Sequence, residues 1–109
     1  MLEKLPLKDV LGHAANAMQR GDMGAAFAIL DQVVGQTPDN PQMLFLYASG
    51  LMHQGRFGLA LILLSELVSK NPNLAEAWSN LAVCYRREYH IDTAIECANK
   101  AIKLSDGSF

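Results

Sequence analysis

One spacing constrains this chain more than any other: its small and helix-breaking residues recur every 34 positions. Pro38 and Pro72 stand at that interval, and it also relates Ala14, Ala48 and Ala82, then Gly21 and Gly55, then Ala26, Ala60 and Ala94. A fixed period of this size marks a structural unit that cannot bury its apolar face alone and stacks on copies of itself. In that frame the repeats run 7–40, 41–74 and 75–108, preceded by an N-terminal extension, 1–6, and followed by Phe109 alone. The 109 residues therefore read as one stacked domain, with no stretch left for a second.

Within each repeat the apolar residues recur at helical spacing, and the breaks fall where helix chemistry wants them. Asn40-Pro41 places a side-chain acceptor before a proline whose missing N–H costs nothing in a first turn. Asn73-Leu74-Ala75-Glu76 reads as a capping-box pairing, with Asn73 as the cap. Gly21 and Gly55 fall where a first helix must end in the left-handed region. Thr37-Pro38 and Asn71-Pro72 stop the second helices, because a residue before proline is pushed out of the α region. The spacing predicts helices near 8–20, 23–36, 41–54, 57–70, 75–88 and 91–104.

Charge and composition narrow the function. Nine basic and eleven acidic side chains are scattered to a net charge of −2, without the basic stripe that nucleic-acid binding needs. The N-terminus lacks a signal-type apolar core, and no unbroken apolar run is longer than that from Leu59 to Leu64, far too short to span a bilayer. A soluble, cytoplasmic protein is the default expectation. Cys84 and Cys97 have neither CxxC spacing nor a matching histidine cluster, so they read as reduced, partly buried small hydrophobes. No nucleophile–base pair, paired carboxylates, metal-ligand spacing or phosphate loop appears, which predicts no enzyme activity, metal or cofactor. His13, His53 and His90 fall at unrelated places of the repeat, and His13 reads as a near-core polar residue.

The third repeat carries Trp78-x2-Leu81-Ala82-x2-Tyr85, then Ala94-x3-Ala98, and in this pattern it resembles the tetratricopeptide repeat. The resemblance covers all three repeats and implies an all-α, right-handed α-solenoid of three helix-turn-helix hairpins. Small residues at 14, 26, 48, 60, 82 and 94 let paired helices approach. Val10, Phe27, Leu30, Leu44, Leu51, Leu61, Leu64, Leu67, Trp78, Leu81, Tyr85 and Ile95 are the expected core between them. His13, Tyr89 and Asp106 depart from the pattern, replacing a leucine-like residue, a turn glycine and a closing proline.

The resemblance further implies a protein-interaction scaffold whose concave groove is lined by the first helix of each repeat. Carried onto this sequence, the groove places give Leu11, Ala15 and Met18 from the first repeat, Phe45, Leu46, Ser49 and Met52 from the second, and Ser79, Asn80, Arg86 and Arg87 from the third. Such a groove suits an extended peptide or amphipathic helix with apolar anchors and an acidic end. The alternative is that Phe45 and Leu46 pack internally, while Arg86 and Arg87 complement a helix dipole. A clamp for chaperone C-terminal carboxylates is disfavoured, since its places hold Leu11, Ala15, Leu46, Glu76 and Asn80. Leu59, Ile62, Ile95, Ile102 and Leu104 predict apolar surface suited to a homo-oligomer, either a symmetric dimer or a head-to-tail stack through uncapped ends. A third expectation makes the array the targeting arm of a larger enzyme such as a glycosyltransferase.

Overall fold

The computed structural model describes residues 5–106. The first four residues of the extension and residues 107–109 lie outside that range. Six helices follow one another: α1 (Leu7–Gln19), α2 (Met23–Gln36), α3 (Pro41–His53), α4 (Phe57–Lys70), α5 (Ala75–Arg87) and α6 (Ile91–Asp106). They form three antiparallel hairpins, and the first helices α1, α3 and α5 also touch in succession, which makes an all-α solenoid. Stacking of this kind gives an elongated body, 45 × 27 × 22 Å.

The turn inside each hairpin is one motif used three times. After α1, the Gly21 N–H donates to the Met18 carbonyl and the Asp22 N–H to the Ala17 carbonyl. Gly55 and Arg56 repeat this on Met52 and Leu51, as do Tyr89 and His90 on Arg86 and Tyr85. These are the paired bonds of a Schellman cap, which satisfy the last free carbonyls and require a left-handed residue. Gly21 and Gly55 have φ of 80° and 76°, and Tyr89 takes the same conformation at 64°. The frame therefore holds the third turn in a geometry that costs a residue with a Cβ about 1–2 kcal/mol. Its ring is almost entirely exposed, so it gains little packing in return.

The second helices end alike as well. The Thr37 and Asn71 side chains donate to the carbonyls of Val33 and Leu67, four residues back. Helix starts are less uniform. Asp22 and Asn40 accept from the amides of Ala25 and Met43. The cap of α5, however, is Leu74 and not Asn73, with no side-chain bond. The repeat frame explains this correction, because Leu74 stands 34 residues after the true cap Asn40. The start of α5 is instead held by Trp78, whose indole N–H donates to the Pro72 carbonyl at 2.8 Å.

The core is the surface between helices. Ala14, Ala26, Ala48 and Ala60 are fully enclosed, and Leu30, Leu64 and Leu67 fill the spaces they leave. Val10, Leu44, Leu51 and Leu81 are buried as expected, while Phe27, Leu61, Trp78, Ala82 and Tyr85 are half-buried against the same cluster. Two expectations fail. Ile95 is exposed, with no helix among the described residues over that side of α6, and His13 is exposed on the surface of α1. Cys84 and Cys97 are free thiols buried at α5 and α6, and burial pushes the Cys84 thiol up to about 11, with Glu88 adding to the effect.

Candidate functional site

The first helices present their groove places at successive turns, and two of them line a shallow, open cleft. Ser49, Met52 and His53 on α3 face Asn80, Val83 and Arg87 on α5, and Phe57 at the start of α4 closes one end, around about 280 Å³. Arg87 is held by Phe57: its guanidinium carbon stands 5.1 Å from the ring centroid, a cation–π geometry. An exposed arginine on a last helical turn thereby lines the cleft beside the Phe57 ring. Phe57 was not among the expected groove residues, since it belongs to a second helix. Its apolar character at the first position after the turn was the available signal.

The other expected groove residues divide. Phe45 lines a separate hollow at the N-terminal ends of α3 and α5, with Gln42, Leu74 and Glu76. Ala15, Phe45, Leu46 and Met18 are half-buried, the last three packed against the core, and Ser79 and Arg86 are exposed. Leu11 has to be removed from the groove: it is only 1% exposed. It lies between Val10 and Ala14 on the stripe of α1 that α2 and α3 both cover, so it belongs to the core. What remains is polarised, with Glu76 at one end of α5 and Arg86 and Arg87 at the other.

A second hollow lies on the opposite side, where α2 and α4 splay apart over α3. Val34, Leu59, Ile62 and Leu63 rim a space of about 330 Å³, floored by Met43, Leu44, Tyr47 and Leu51. Ile62 is 63% exposed there. The structure thus joins Leu59 and Ile62, from the expected self-association set, in one apolar patch. It places Ile95 and Ile102 elsewhere, on α6, and leaves Leu104 half-buried. No helix among the described residues is long and apolar enough to cross a membrane.

Repeating hairpins, their common turn and a polar-edged inner face define a helical-repeat scaffold. Sequence profiles of the tetratricopeptide repeat match residues 17–79 and 75–108, and the chain belongs to that family of protein-interaction scaffolds. Solved structures of MamA are similar in fold. MamA from Desulfovibrio magneticus RS-1 is 23% identical, and the match covers 89% of this chain and 55% of that one with a TM-score of 0.81. MamA of AMB-1 is 22% identical over 92% of this chain and 59% of that one, with a TM-score of 0.80. MamA of MSR-1 is 21% identical over 95% and 60%, also at 0.80. The chain therefore spans less than two thirds of the MamA chains it matches, and at these identities the likeness is one of fold.

Proposed function

We propose that the inner face between α3 and α5 binds a peptide or helix carrying a bulky apolar anchor beside an acidic group. The observation that carries this reading is the cleft itself. Met52 and Val83 supply apolar walls, Ser49 and Asn80 supply hydrogen-bonding groups, and Arg87 is preset over Phe57 where an acidic group would lie. Preorganising the guanidinium lowers the side-chain entropy lost on binding. An anchor against Met52 with its acid toward Arg86 and Arg87 also fits the charge gradient along α5.

Selection from a random peptide library tests this directly. The reading predicts enrichment of a large apolar residue next to Asp or Glu, and Arg87→Glu should invert the acidic preference while leaving helicity unchanged. Selected peptides that bind Met52→Glu and Arg87→Glu as well as the native chain would place recognition on another face.

A further inference from the structure

The inner face between α3 and α5 is hollowed at both ends, and an anchor and acid seated by Met52 and Arg87 occupy only one of them. At the other end, Gln42 and Phe45 on α3 and Leu74, Ala75 and Glu76 on α5 surround about 580 Å³. Glu76 is exposed and, among the described residues, is the only charged side chain lining that space. Helix dipoles do not reverse its sign. The amide ends of α3 and α5 each carry about half a positive charge, but each follows the carbonyl end of α2 or α4 across a turn, at 37–40 and 71–74. The opposed ends largely cancel, so the Glu76 carboxylate makes the hollow negative. Lys8, at the same place of the repeat frame, is two helices away on α1.

Glu76 and Arg87 lie on one stripe. Residues 76, 80, 83 and 87 recur at the spacing of a single helix face, and the step from 76 to 87 is a rise of about 16 Å. The middle of the face is polar, with the half-buried side chains of Ser49 on α3 and Asn80 on α5. An extended chain has free backbone N–H and C=O groups to pair with them, whereas a helix has already used its own. At about 3.3 Å per residue, an extended chain covers the 16 Å in about five residues.

We propose that the hollow between Phe45 and Glu76 is a second subsite of this face. It takes a lysine or arginine of an extended peptide, about five residues from the acidic group that meets Arg87. The methylene stem lies against the Phe45 ring while the cation pairs with Glu76. The subsite rests on the peptide-binding reading of this face and gives its ligand opposite charges at the two ends.

Peptides selected from a random library on the native chain, and again on Glu76→Lys, test it. The native chain is expected to enrich Lys or Arg about five residues from the acid. On Glu76→Lys that preference should turn to Asp or Glu at unchanged helicity, while the apolar–acidic pair chosen by Arg87 persists. Glu76→Gln should weaken binding of the native-selected peptides about threefold. An apolar–acidic pair with no basic residue at that distance, or with one that survives Glu76→Lys, would overturn the second subsite and leave the Arg87 end standing. A basic residue about eleven positions from the acid would overturn the extended ligand in favour of a helix. Loss of the apolar–acidic pair itself would overturn both ends together.

Discussion

The two joints between hairpins have the same place in the frame and different chemistry. At the first, between α2 and α3, an aromatic side chain fits a gap. Phe27 lies 5.2 Å from Tyr47 between ring centroids, and the Tyr47 hydroxyl donates to Asp31 at 2.7 Å. A Cβ on Gly50 would stand 2.9 Å from the Phe27 ring tip and 3.3 Å from the Met18 methyl. At the second, between α4 and α5, Leu61 stands where Phe27 does and the buried part of the joint is aliphatic, with Leu64, Leu67 and Val68 in one cluster with Ala77, Leu81 and Cys84, while Phe57 meets Arg87 at its edge. One backbone geometry thus accepts either a ring seated on a glycine or interlocked branched chains. The first solution depends on the absence of a side chain and on one phenol. The second depends on filled volume.

Substitutions should separate the joints. The largest effect is expected for Leu81→Ala in the aliphatic joint: about 3 kcal/mol lost from unfolding free energy, measured by urea denaturation. Gly50→Ala in the aromatic joint should cost about 1–2 kcal/mol, as crowding by Phe27 outweighs the gain in helix propensity. Gly35→Ala, with nothing within 4 Å, should instead stabilise by about 0.5–1 kcal/mol. A Gly50→Ala protein as stable as Gly35→Ala would show that the ring does not sit where the joint needs it.

Alkaline titration sharpens the contrast. The hydrogen bond to Asp31 raises the Tyr47 phenol above its usual range, and burial raises the Cys84 thiol from 9.0 to about 11. Both groups are neutral in the fold and ionise more readily when unfolded, so their contributions are complete below the unfolded values and are lost as pH rises. For Cys84 that window runs from 9 to about 11. Tyr47→Phe should lower stability at neutral pH by about 0.5–1 kcal/mol and flatten the profile at high pH, while Cys84→Ala should remove the component that begins near pH 9. The smallest effect is expected at the third turn, where Tyr89→Gly trades backbone strain for chain entropy and should gain at most about 1 kcal/mol.

Much of this was legible in the sequence, because period and turn chemistry are local. Alanines at 14, 26, 48 and 60 announced close helix contacts, and Gly21 and Gly55 announced the turns. What escaped depended on which neighbours were present. Leu11 occupies a groove place by its number, yet α2 and α3 bury it, whereas Ser79 at the same place in α5 is exposed. Ile95 occupies a core place, yet among the described residues no helix stands over it. Tyr89 shows the converse: the frame imposed the left-handed turn without the residue that would announce it. Phe57 entered the candidate cleft through a contact with Arg87 that no spacing within one helix could reveal.

Amide hydrogen exchange on the native chain tests most directly whether places 34 residues apart do the same structural work. The amides of Asp22, Arg56 and His90 donate to carbonyls at 2.8, 2.9 and 2.8 Å. Protection at all three is predicted, with fast exchange between the hairpins at Asp39 and Asn73, whose amides find no acceptor. Rapid exchange at His90 with slow exchange at Asp22 and Arg56 would contradict the common frame, as would protection running unbroken through either proline turn.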